Sequence, residues 1–166
     1  MAKKPKFHTQ IEKAGPTCLK GTLLAFDPST GSHSSMPGYA IFKNGELVES
    51  GIIQVNPSAR RNVRLFSITE SLRTEFPKPD IIAIENIPPV RYSRAGSMGG
   101  WALVAIQRSI GAIISCFDCE YVEVSPKAWQ NYKFHGYEKS DEHDAICIGL
   151  CVIETAKKLF KSDEDD

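Results

Sequence analysis

The chain has 166 residues, 42% of them hydrophobic and 24% charged, enough to bury one core without disulfides and too ordinary for a disordered or fibrous protein. Its 20 basic and 20 acidic side chains cancel, yet the last four residues, Asp163 to Asp166, are all acidic; the rest carries 20 basic groups against 16 acidic, a charge of +4 that permits a polyanionic partner without requiring one. No apolar run approaches the ~18 residues of a membrane span, and the opening MAKKPKFHTQIEKAG lacks the apolar core of a secretory leader, so a cytoplasmic protein with no membrane partner is expected.

Taken in order, residues 1–20 are polar, lysine-rich and without pattern, and read as a flexible basic arm. Residues 21–27 (GTLLAFD) are apolar on successive positions, which predicts a strand covered on both faces and hence central in a sheet. It stops at Asp27, whose charge belongs at the strand end rather than in a dry interior. A loop of serines, glycines and prolines follows over 28–37. Residues 38–43 (GYAIFK) and 46–55 (ELVESGIIQV) are strands joined by Asn44-Gly45, a hairpin signal because both residues tolerate positive φ. Residues 57–76 switch to helical spacing, with Val63, Phe66, Ile68 and Leu72 apolar and Arg60, Arg61, Arg64 and Arg73 among the polar positions; Pro77 and Pro79 end the helix.

A fourth strand, 81–85, again ends on a carboxylate, Glu85. The loop over 86–100 carries prolines, glycines, Arg91, Tyr92 and Arg94. Residues 101–117 read as a nearly all-apolar helix whose small residues (Ala102, Ala105, Gly111, Ala112) let another helix approach, within the fold or across a dimer. A fifth strand, 120–124, leads to Ser125-Pro126, an N-cap with proline at N1, opening a short helix through Trp129. Trp101 and Trp129 read as packing anchors. Ser140 caps a last helix to about residue 161, and 162–166 form a disordered acidic tail. The order β-β-β-α-β-α-β-α makes residues 21–161 one α/β domain on a mixed five-stranded sheet, an antiparallel meander followed by parallel crossovers.

Five cysteines are an odd number with no small-domain framework, which favours a reducing compartment. Cys116 and Cys119 form a CxxC, and Cys147 and Cys151 are one helical turn apart, but both pairs lie in apolar surroundings where cysteine behaves as a small hydrophobe rather than a zinc ligand.

The acids are more informative. Asp27 and Glu85 each end a buried-strand pattern, and the carboxyl ends of neighbouring strands face one crevice in an open α/β sheet. The last helix opens Ser140-Asp141-Glu142-His143-Asp144-Ala145, placing Asp141 and Asp144 on one face. Acids in a first turn have a simpler explanation in the helix dipole. Together with two strand-end acids, however, they would make a cluster that repels itself unless divalent ions offset the charge, and hard oxygen ligands suit Mg²⁺ or Mn²⁺. His143 is roughly 100° round the helix from Asp144 and is expected to point elsewhere.

The succession LLAFDPS, GYAIF, IIAIEN and DEHDAICIG resembles the RuvC-type Holliday junction resolvases of the RNase H-like superfamily, over nearly the whole of residues 21–159. Through that resemblance Asp27, Glu85, Asp141 and Asp144 match four catalytic, metal-binding acids. The resemblance implies two Mg²⁺ or Mn²⁺ ions per active site, hydrolysis of DNA phosphodiesters at four-way junctions, and a homodimer in a bacterial cell or phage-infected host. It also implies a basic residue beside the scissile phosphate, Lys127 in SPKAWQ, with Lys133 as the alternative. Arg91, Tyr92 and Arg94 are candidates for DNA contact, since arginines fit phosphates and tyrosine stacks on unpaired bases. Rival readings are an actin- or sugar-kinase-like ATPase, which needs a second domain that 166 residues leave no room for, a non-catalytic branched-DNA-binding module, and a related nuclease acting on flaps or RNA–DNA hybrids. Four retained acids weigh against a pure binder, because clustered negative charge repels DNA.

Overall fold

The structure, a computed structural model, describes residues 6–29, 31–86, 111–112, 114–115, 117–132 and 138–160. Its elements are α1 (Lys6–Ala14), α2 (Thr17–Lys20), β1 (Thr22–Asp27), β2 (Gly38–Lys43), β3 (Glu46–Ile52), α3 (Arg61–Thr74), β4 (Ile81–Glu85), β5 (Glu120–Val124), α4 (Pro126–Trp129) and α5 (Asp141–Phe160). The sheet runs β3-β2-β1-β4-β5. β1 pairs antiparallel with β2 and parallel with β4, β2 pairs antiparallel with β3, and β4 parallel with β5. The mixed five-stranded sheet is therefore the expected one, with β1 at its centre.

Alternation along β1 explains that position. Leu23 and Ala25 face one side, where they join Ile81, Ala83 and the apolar stripe of α5 (Ile146, Ile153, Ala156). Leu24 and Phe26 face the other, with Ile82, Ile84 and the α3 residues Ile68 and Leu72. Both sides of the central strands are dry, so an uninterrupted apolar run is what they require. The Asn44-Gly45 turn has φ of 52° and 78°, the left-handed pair that a two-residue hairpin needs. Ser140 accepts the His143 N–H on Oγ at 3.2 Å, closing the first turn of α5 as expected.

Three expectations change. Residues 6–20 form two helices, α1 and α2, joined by a turn, rather than a flexible arm. Phe7, Ile11 and Ala14 fall at i, i+4 and i+7 and pack against the α5 side of the sheet, Ile11 being fully buried. β5 is an edge strand, and α1 covers it. Gln10 Oε1 accepts the Glu123 N–H at 2.9 Å, Lys13 pairs with Glu120 at 2.9 Å and Lys6 pairs with Glu123, which satisfies an edge that would otherwise invite another chain. Ile11→Ala is expected to cost about 2–4 kcal/mol in urea unfolding; a free arm would show no change.

Second, only Ile68 and Leu72 of the predicted α3 stripe are buried, while Val63 and Phe66 are exposed. Arg64 is turned back on the preceding loop and donates to the carbonyls of Pro57 and Ala59. Third, Ser125 precedes Pro126 at the start of α4 but makes no side-chain cap bond; proline at N1 has no N–H, which leaves one fewer donor to satisfy. Most of the helix expected over 101–117 and the tail at 162–166 lie outside the described residues. Among the described residues no helix is long and apolar enough to cross a membrane.

Candidate active site

Strand order decides where the acids meet. β1 and β4 are parallel neighbours in the register Phe26↔Ile84, so the residues that follow, Asp27 and Glu85, emerge side by side at the carboxyl edge. α5 lies across β1 and β2 and starts at this same edge with Asp141 and Asp144. What allows so close a start is Gly38, which pairs with Asp27 across the β1–β2 ladder. A Cβ built on Gly38 would fall onto the main-chain carbonyl of Asp141 and crowd the Glu142 nitrogen. Farther along the helix, Phe42 of β2 packs on Gly149 with no room for a side chain there.

The 28–37 loop folds over the same edge. Ser29 Oγ donates to the Ser35 carbonyl at 3.0 Å and accepts the Gly31 N–H at 3.1 Å. The loop then presents the Met36 N–H to Asp141 Oδ2 at 3.0 Å. Trp129, at the end of α4, donates its indole N–H to Glu85 Oε1 at 3.1 Å. Asp141 and Glu85 are thus each held through one oxygen.

The electrostatics follow from this convergence. Asp27 is 9% exposed, and its carboxylate takes part in no hydrogen bond or ion pair among the described residues. Burial, then the charges of Glu85, Asp144 and Asp141, push its carboxyl up to about 8. Burial also raises Glu85, opposed by the Trp129 hydrogen bond and helped by Asp144. Asp144 is raised by burial, opposed by His143 and Lys139. His143 does not point away as expected: its Nδ1 lies 3.6 Å from Asp144 Oδ1, and the ring rests on Cys147 Sγ, one turn on. A helical step of about 100° separates Cβ positions, and the imidazole is long enough to swing back. Cys147 itself is buried, its thiol directed at the Tyr132 carbonyl at 3.3 Å.

The donor set is of the right chemistry for a hard divalent cation: oxygen only, four carboxylates, and one of them buried with no positive partner among the described residues. The four are electrostatic neighbours rather than a closed cage, since among the described residues no group of three or more His, Cys, Asp or Glu is placed to hold an ion as it stands. Lys127 is exposed and lines a groove of about 280 Å³ with Lys6, Phe7, Asn86, Glu123, Ser125 and Ala128, next along the chain from Glu85 through Asn86. Arg91, Tyr92, Arg94 and Lys133 lie outside the described residues. Sequence reasoning missed Trp129 and Gly38 as site residues, because nothing local ties either to an acid 44 residues or more than 100 residues away.

No family model matches the chain, and no curated protein matches it in sequence. Among solved structures it is similar to the RuvC of Thermus thermophilus in complex with Holliday junction substrate, with a TM-score of 0.58 and 10% identity over 83% of this chain and 94% of that one. The fold is RuvC-like. A second T. thermophilus RuvC structure aligns with a TM-score of 0.48 and 15% identity over 84% of this chain and 96% of that one. At these identities the likeness is one of architecture: a RuvC-like, RNase H-type mixed sheet with helices on both faces. In this chain α1 and α2 precede the first sheet strand, and α1 braces β5.

Proposed function

We propose that this chain is a divalent-metal-dependent, structure-selective endodeoxyribonuclease that hydrolyses phosphodiesters at four-way DNA junctions. The observation that carries the reading is Asp27: a carboxyl at the end of the central strand, lacking a positive partner among the described residues and pushed toward its neutral form by burial and then by three neighbouring acids. A site of that kind is costly to keep ionised without cations. The likeness in fold to a RuvC solved with a Holliday junction substrate adds the substrate class.

Asp27, Glu85, Asp141 and Asp144 would hold two Mg²⁺ or Mn²⁺ ions. Bound there, they would supply activation of a water for attack on phosphorus and charge stabilisation at the leaving 3′ oxygen. Asp27, between Glu85 and the α5 acids, would be the central ligand residue of the set. The Met36 N–H and the Trp129 indole fix one oxygen each of Asp141 and Glu85, so those carboxylates are oriented before substrate arrives. Lys127, in the groove beside Asn86, would meet a phosphate, with Lys133 the alternative. Arg91, Tyr92 and Arg94 would contact the branch, and the 101–117 helix would form the homodimer that makes paired nicks.

The test is a cleavage assay on four-way, flap and linear DNA and on an RNA–DNA hybrid, in Mg²⁺, Mn²⁺ or EDTA. Metal-dependent cutting of the four-way junction by the wild type is the expected result. Cutting confined to flaps or hybrids would reassign the substrate, and junction binding without cutting would make the chain a branched-DNA-binding module.

A further inference from the structure

Trp129 is explained only in part by packing. α4 is a short helix whose last residue turns inward to join the core cluster on the α5 side of the sheet, leaving 7% of its surface exposed. Any apolar side chain of similar volume would fill that space. An indole adds one thing: a donor that neither accepts nor titrates, and that must find a partner when buried. The partner is Glu85 Oε1, 3.1 Å from Nε1. No other hydrogen bond to the Glu85 carboxylate occurs among the described residues; among them the indole is what fixes which way that carboxylate turns, with Oε1 as the oxygen it holds.

The environment gives the bond a function beyond satisfying the indole. Glu85 stands beside Asp27 and Asp144, and the Trp129 hydrogen bond fixes one of its two oxygens. A rotated Glu85 is a poor cation ligand, because a divalent ion needs a carboxylate oxygen held in place. Outer partners that orient a ligand in this way commonly govern affinity without touching the ion.

We propose that Trp129 is a positioning residue for divalent-ion binding, its indole N–H holding Glu85 oriented so that the second carboxylate oxygen is offered to the cation. The inference rests on the reading of the four acids as a metal site, and it concerns affinity for the ion, not contact with DNA. The same short helix carries Lys127 in the neighbouring groove, so α4 supports both the acid cluster and the surface beside it.

The experiment is a calorimetric titration of the DNA-free protein with Mn²⁺. Wild type is compared with Trp129→Phe and with a protein carrying 3-benzothienylalanine in place of Trp129, which keeps the ring shape and exchanges N–H for sulfur. Asp27→Asn serves as the control for the site itself. Both replacements at 129 are expected to weaken Mn²⁺ binding about tenfold, the value of one hydrogen bond to a charged group. The thermal midpoint of each metal-free protein is measured alongside, so that a loss of folding is separated from a loss of ion affinity. Wild-type Mn²⁺ affinity in the benzothienyl protein would overturn the proposal, whatever Trp129→Phe does, because shape alone would then suffice. Failure of the parent reading looks different: Asp27→Asn would bind Mn²⁺ as the wild type does, or the wild type would bind none, and the proposal would fall with it.

Discussion

Asp27→Asn is expected to abolish cleavage and, in the absence of metal, to make the protein more stable. In the folded chain the Asp27 carboxyl is pushed from its ordinary 3.8 up to about 8 by burial and by Glu85, Asp144 and Asp141. Between those values the folded state keeps a proton that the unfolded chain has already lost, so it is the folded state that binds more protons. Stability therefore falls as pH rises from about 4 to about 8 and levels off above that window. A shift of this size corresponds to something on the order of 5 kcal/mol at its full extent. Asparagine is neutral throughout and removes the effect. In EDTA the variant should unfold at a higher temperature than wild type, by roughly 3 °C for each kcal/mol in a chain of this size. The gap should be small at pH 4 and wide at pH 8. Added Mg²⁺ or Mn²⁺ should reverse the order, since an ion that binds only the folded wild type stabilises it by mass action. Thermal unfolding of both proteins across pH 4 to 9, with and without metal, checks this. Parallel profiles in EDTA would mean that Asp27 is not the strained group, and the case for a cation site would lose its main support.

Gly38→Ala is expected to damage both stability and turnover. The methyl group has nowhere to go, because its nearest atoms are the main-chain carbonyl of Asp141 and the Glu142 nitrogen rather than the end of a flexible side chain. Either β2 or the first turn of α5 must move. Overpacking of this kind costs about 1–3 kcal/mol, more where backbone must shift. The displaced turn carries Asp141 and Asp144, and a misplacement on the order of 1 Å in a catalytic group costs about 100-fold in rate. Urea unfolding reads the first effect, and single-turnover cleavage the second. A variant with wild-type values in both would show that α5 can start elsewhere without consequence. A loss of stability with unchanged turnover would separate Gly38 from the positioning of the acids.

Much of the framework could be read from residues close together in the chain. The unbroken apolar runs of β1 and β4 report burial on both faces, and each ends on a carboxylate that a dry interior would reject. Asn44-Gly45 and Ser140 announce a hairpin and a helix start because their chemistry acts within three residues. Some local information was present and overlooked: Phe7, Ile11 and Ala14 have helical spacing, but three apolar positions among lysines give weak periodicity. Val63 and Phe66 erred in the other direction. Apolar spacing says that a face exists and does not say whether anything covers it.

By itself, then, the sequence determined the class of sheet, the central strand and four acids at element ends, since each depends on contacts between near neighbours and on the burial of apolar runs. Only the tertiary structure decided that β1 and β4 lie side by side, that a glycine on β2 admits the start of α5, and that Met36 and Trp129 each hold a carboxylate from a distant segment. Those pairings arise from strand order and layer packing. Residues far apart in the chain carry no local signal of meeting, because what brings them together is the closure of the whole core.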